Sequence, residues 1–126
     1  QEKLAEHRMQ ATLKVLSGFQ KICTENGDPP IFAVATSAVR EASNGKEFVR
    51  LAKKKTGLDI RVIPWEEEAR LTLEGAFWKL PHENQKTVTL DIGGGSTEFI
   101  LSEGKNIKGF WGYLSQFFAI QKILWK

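Results

Sequence analysis

Sulfur is scarce in this chain: Cys23 is the one cysteine in 126 residues. A lone thiol excludes an intramolecular disulfide framework and fits a reducing compartment. Its place on an apolar helix face predicts a buried small hydrophobe. Long apolar runs are also missing. Nothing approaches the ~20 residues that cross a bilayer, and the polar, charged N-terminal stretch does not read as a signal peptide. The expectation is therefore a cytoplasmic protein with no membrane partner. Charge of one sign is not in excess either. The net charge of +3 suits a polyanionic ligand but is far too weak to demand nucleic acid. There is no internal repeat and no low-complexity tract. The chain opens at Gln1 without a methionine, which fits an excerpt. Histidine is sparse, and His7, alone near the start of a helix, reads as a surface or packed residue.

What is present is organised around residues 87–102, TVTLDIGGGSTEFILS. Val88, Leu90 and Ile92 alternate with Thr89 and Asp91, the period of a strand. Gly93, Gly94 and Gly95 follow, and Ser96 to Leu101 reads as a second strand. Three glycines in a turn allow positive φ and close approach of a ligand to the backbone. Their N–H groups can form an anion-binding concavity. Asp91 stands at the mouth of the turn, where it can hold a divalent cation directly or through water, and Ser96 and Thr97 add hydroxyl donors. A purely structural glycine turn remains the plainer alternative. The segment is not a P-loop, because no Gly-Lys-Ser/Thr follows and the next element is a strand.

Along the rest of the chain, residues 2–26 read as a helix with Ala5, Met9, Leu13, Leu16, Phe19, Ile22 and Cys23 as its stripe, stopped by Gly27. Asp28-Pro29-Pro30 breaks it. Residues 31–35, IFAVA, predict a strand buried on both faces, as in a parallel sheet. It runs into Thr36, Ser37 and Arg40, at the strand end where α/β folds gather ligands. Arg40 can fork two phosphate oxygens; an ordinary loop with a surface arginine is the other reading. Asn44 and Glu47 have capping-box spacing before a helix with Phe48, Leu51 and Ala52 inside. Lys53 to Lys55 form a solvated helix end, and Gly57 stops it.

Ile60, Val62 and Ile63 predict the next strand, and Glu66, Glu67 and Glu68 open a third helix with Ala69, Leu73, Ala76, Phe77 and Leu80 inside. Acidic residues there suit the helix dipole. One that faces a phosphate cradle can also deprotonate an attacking water. Gly75 inside this helix suggests a close backbone contact. Residues 82–86 form a polar connector, taken as the domain boundary: 1–82 and 83–126. Residues 106–113 predict a third strand of the meander, and residues 114–125 an amphipathic helix.

Three blocks, ATSAVREASNG at 35–45, EEEAR at 66–70 and DIGGGSTE at 91–98, together resemble the exopolyphosphatase/guanosine pentaphosphate phosphohydrolase (Ppx/GppA) family. That family has the actin-like ATPase fold. The resemblance implies an α/β, ribonuclease-H-like architecture, here partial: a β-α-β-α unit of a first domain and the opening hairpin of a second. It implies Glu68 as catalytic base, Asp91 as ligand of Mg²⁺ or another divalent cation, and Gly93, Gly94, Gly95, Ser96, Thr97 and Glu98 as a phosphate loop. Thr36, Ser37 and Arg40 match the block that contacts the phosphate chain from the other side. The implied substrates are inorganic polyphosphate or guanosine pentaphosphate, and family members are often homodimers. Glu68 and Arg40 are expected to face the glycine turn across a cleft. The chain departs from the pattern in three ways. Pro64-Trp65 replaces a small Ser-Gly pair, the family's first Asp-Gly-Ser hairpin is not present, and the tail from about residue 109 does not match. An inactive, vestigial phosphate-binding fragment is therefore the alternative reading. A kinase fragment is disfavoured, because the Glu68 block suits hydrolysis of a terminal phosphate.

Overall fold

The computed structural model describes residues 3–78, 85–93, 96–114 and 117–123. It is α/β. The order is α1 (Glu6–Glu25), β1 (Ala33–Ala35), α2 (Ser37–Arg40), α3 (Gly45–Thr56), β2 (Ile60–Val62), α4 (Trp65–Ala76), β3 (Lys86–Ile92), β4 (Ser96–Glu103), β5 (Asn106–Leu114) and β6 (Phe117–Ile123). Packing divides the chain into two compact units, Gln1–Ile63 and Pro64–Lys126. The connector at which the sequence suggests a boundary lies largely outside the described residues. The packing changes earlier, at Pro64, because α4 buries its inner face on the sheet that follows it.

In the first unit β1 and β2 pair in parallel, Ala33 opposite Ile60 and Ala35 opposite Val62. Met9 and Leu13 of α1 meet Phe48 and Ala52 of α3, with Leu58 and Ile60, in one apolar core. Burying each large side chain there contributes about 1.5–3 kcal/mol. Thr56 is buried but satisfied: its hydroxyl donates to the Ala52 carbonyl at 2.8 Å and accepts from the Leu58 N–H at 3.3 Å. Gly57 ends α3 in the left-handed region at φ 73, its N–H donating to the Lys53 carbonyl.

Three sequence expectations fail here. The β1 segment is not buried on both faces: Phe32 is 93% exposed and Val34 about half exposed, with Ile31 also open to solvent. A three-residue strand paired on one side cannot cover a second face. The apolar stripe of α1 is shorter than its spacing suggests. Only Met9 and Leu13 are buried, Phe19 and Ile22 are exposed, and Cys23 is half-buried. The reason is that α3 meets α1 over its N-terminal half. Finally, Asn44 makes no side-chain cap on α3. Its Oδ1 accepts from the Leu4 N–H at 2.8 Å and its Nδ2 donates to the Leu4 carbonyl at 3.0 Å. The amide thus imitates a strand neighbour and clamps the chain entering α1. Beside it, a Cβ on Gly45 would stand 2.0 Å from the Val39 carbonyl oxygen, so only glycine fits that approach.

In the second unit β3 to β6 form an antiparallel meander in sequence order. The third strand is as expected. The tail is not a helix: β6 pairs with β5, Phe110 opposite Ile123 and Tyr113 opposite Ile120. Gly104, at φ 56, turns β4 into β5. A bulge at Leu101/Ser102 sets Ser102 opposite Ile107 but Leu101 opposite Gly109, leaving Lys108 over. α4 lies on the sheet, with Ala69 and Leu73 buried against Ile100 and Phe110. The Trp65 ring packs 6.1 Å from that of Phe110. It also rests on Gly112, where a Cβ would stand 3.1 Å from the indole. Trp65 is therefore a core anchor, which accounts for a large residue where the family resemblance leads one to expect a small one. Gly75 does not make the close contact its position suggests; a Cβ there would meet nothing within 4 Å. Ala76, at the end of α4, is exposed. Among the described residues no helix is long and apolar enough to cross a membrane.

Candidate functional site

Strand side chains alternate between faces, and the β3–β4 ribbon uses this in an unusual sense. Val88, Leu90 and Ile92 are 61%, 54% and 77% exposed. Thr87, Thr89 and Asp91 take the other, more covered side of β3. On β4 the buried set is Ser96, Glu98, Ile100 and Ser102. The face turned toward α4 is thus rich in oxygen, while apolar side chains are left to solvent. Burying polar groups costs free energy unless they are bonded, so their arrangement calls for a reason beyond packing. Two such bonds are visible. Thr87 and Ser102 hydroxyls, directly opposite each other, share a hydrogen bond at 2.9 Å. The Thr72 hydroxyl of α4 donates to Asp91 Oδ2 at 3.0 Å.

Asp91 and Glu98 are directly opposite partners across β3 and β4. Such pairs have Cβ atoms about 4.5–5.5 Å apart on one face. Like charges so placed repel unless something positive joins them. Glu98 is 3% exposed, which raises that cost. Two carboxylates with a neighbouring Ser96 hydroxyl make a hard-oxygen donor set of the kind that suits Mg²⁺ or Ca²⁺. The residues present therefore fit a divalent cation.

Glu68 lies in the first turn of α4, its N–H bonded to the Pro64 carbonyl. It is half-buried. Residues four apart share a helix face, so Glu68 sits one turn below Thr72, on the side of α4 whose next polar group reaches Asp91. Glu68, Asp91, Ser96 and Glu98 all belong to the second unit. So does Gly93, whose N–H donates to the Ser96 carbonyl at 2.9 Å. That N–H closes the base of the hairpin; Gly94 and Gly95 lie outside the described residues. Thr97 projects from the opposite face of β4, with Phe99 and Leu101.

Thr36, Ser37 and Arg40 belong to the first unit, at the carboxyl end of β1. Arg40 is mostly covered. Its Nη1 donates to the Ile63 carbonyl at 2.8 Å and its Nε to Glu41 Oε1 at 3.2 Å. The guanidinium thereby ties α2 to the end of β2. Thr72 is the site residue that sequence reasoning missed. Its one trace in the sequence is its spacing of four from Glu68.

The arrangement is that of the actin-like α/β class, and solved structures of that class match it. An exopolyphosphatase from Cytophaga hutchinsonii superposes with TM-score 0.84 and 31% identity, over 91% of this chain and 37% of that one. The type II variant of the Aquifex aeolicus Ppx/GppA phosphatase does so with TM-score 0.72 and 32% identity, over 89% and 37%. The profile of the Ppx/GppA phosphatase family matches residues 1–110, and the chain belongs to that family. Exopolyphosphatase 1 of Mycobacterium leprae is 33% identical over 102 residues, 81% of this chain. The chain spans only 30% of that relative's length.

Proposed function

We propose that this chain carries part of the active site of a phosphohydrolase that removes the terminal phosphate from inorganic polyphosphate or guanosine pentaphosphate. The oxygen-lined face beneath α4, with Asp91 opposite Glu98, is the observation that supports this most directly. Family membership and the exopolyphosphatase names of the relatives add the substrate class.

In this reading Glu68 accepts a proton from water, and the water oxygen bonds to the terminal phosphorus. The bond from that phosphorus to the bridging oxygen breaks, and the chain leaves one phosphate shorter. Asp91 and Glu98 would hold a divalent cation, Mg²⁺ in the first instance, which offsets charge on the leaving phosphate. Ser96 and the glycine turn border the terminal phosphate. Because the Gly93 N–H is committed to Ser96, Gly93 contributes room more than a donor. Thr36, Ser37 and Arg40 would contact the phosphate chain, with Arg40 held in place by the Ile63 carbonyl. Phosphoryl transfer depends mainly on such positioning and electrostatics.

The test is phosphate release from long-chain polyphosphate with MgCl₂, by this chain and by the longest available form of the protein. Glu68→Gln should lower turnover by roughly 10²–10⁴-fold, the usual range for a general base. Undiminished turnover in that variant removes Glu68 from the mechanism. Turnover by the longer form alone supports the second reading, a phosphate-binding portion that does not act unaided. The short span relative to the relatives favours keeping that reading in view.

A further inference from the structure

Thr72 behaves unlike other helical hydroxyls in this protein. A serine or threonine inside a helix ordinarily returns its hydroxyl to the carbonyl four residues back. Thr12 does so to Arg8, Ser17 to Leu13 and Thr56 to Ala52, at 2.8–3.0 Å. The equivalent acceptor for Thr72 is the Glu68 carbonyl. Its hydroxyl instead leaves the helix and donates to Asp91 Oδ2 at 3.0 Å, nineteen residues along the chain. The bond is half-buried and joins the helix that opens with Glu68 to the strand that ends beside the glycine turn.

We infer that Thr72 is a positioning residue for Asp91. A carboxylate on a strand can rotate about two side-chain bonds, and each rotamer presents a different oxygen to a ligand. One bond from a rigid helix selects among them. An ionised carboxylate has about four acceptor sites, so the Thr72 hydroxyl takes one and leaves capacity for a cation. The hydroxyl also fixes Asp91 against the same face of α4 that carries Glu68. Thr72 therefore sets how far the cation's ligand stands from the base. It touches neither substrate nor cation and acts through Asp91. This inference rests on the reading of Asp91 as a cation ligand.

The experiment is calorimetric titration of the 126-residue chain with MgCl₂, without substrate, for wild type and Thr72→Val, Thr72→Ser and Asp91→Asn. Loss of a group that orients a metal ligand weakens metal binding roughly 10–100-fold. Thr72→Val, which keeps the shape and removes the hydroxyl, should show that loss. Thr72→Ser, which keeps the hydroxyl, should bind as wild type does. Should the valine variant unfold, Thr72→Ala against Thr72→Ser makes the same comparison. Equal affinity with and without the hydroxyl, while Asp91→Asn loses binding, overturns the role of Thr72 and leaves the site reading intact. Unchanged binding in Asp91→Asn, or no binding by wild type, overturns the site reading and this inference with it.

Discussion

Asn44 offers a test that separates two roles the same residue type can fill. If it acted as the N-cap of α3, serine would replace it at little cost, since serine caps about as well as asparagine. The structure gives it another role. Its amide exchanges two hydrogen bonds with the backbone of Leu4, at 2.8 and 3.0 Å, and makes no cap bond. A net intramolecular hydrogen bond contributes about 0.5–1.5 kcal/mol, so the clamp amounts to about 1–3 kcal/mol. Serine is too short to span both Leu4 groups. Asn44→Ser and Asn44→Ala should therefore destabilise by similar amounts within that range. Asn44→Asp keeps the acceptor for the Leu4 N–H, loses the donor and sets a carboxylate oxygen against a carbonyl. It should fall at least as far as half the clamp. Urea unfolding measures the free energies, and hydrogen exchange at the Leu4 amide reports the clamp itself. A serine variant as stable as wild type, with the Leu4 amide still protected, would refute the clamp.

Two further glycine substitutions should move stability in opposite directions. Gly75→Ala in α4 meets no neighbouring atom and removes a helix-disfavouring residue, so thermal unfolding should show a gain of about 0.5–1 kcal/mol. Gly45→Ala must displace the Val39 carbonyl, 2.0 Å from the new methyl, and a loss of roughly 1–3 kcal/mol is expected. Urea titration with a probe in the first unit would detect it.

The elements whose signals are local were legible in the sequence. Gly57 and Gly104 mark a helix end and a hairpin through their own backbone needs. The 3.6 and 2.0 periods placed α3, α4, β3 and β4. Partners far away in sequence were not legible. Nothing around Asn44 announces Leu4, forty residues earlier, so capping-box spacing won the argument on paper. The tail failed for a related reason. Short apolar runs fit a strand or a buried helix equally, and pairing with β5 decides for the strand. The exposure of Val34 and Phe32 depends on which elements cover the β1–β2 pair, which no window of residues can state. At the site, motif spacing supplied Glu68, Asp91 and Glu98. That Thr97 faces away from Asp91, and that Thr72 reaches it, follow only from register and helix phase.

The bulge at Leu101/Ser102 has a consequence for how this sheet tolerates change in length. Ile107 packs toward α4, Lys108 is left over, and Phe110 again points to α4 opposite Ile100. Removing the surplus lysine would leave an uninterrupted ladder with every later residue keeping its side. Removing a residue farther along β5 would reverse the parity, trade Phe110 for a neighbour and strip Trp65 of its ring partner. The irregular spot is thus slack in the strand, able to absorb a one-residue loss that its flanks cannot.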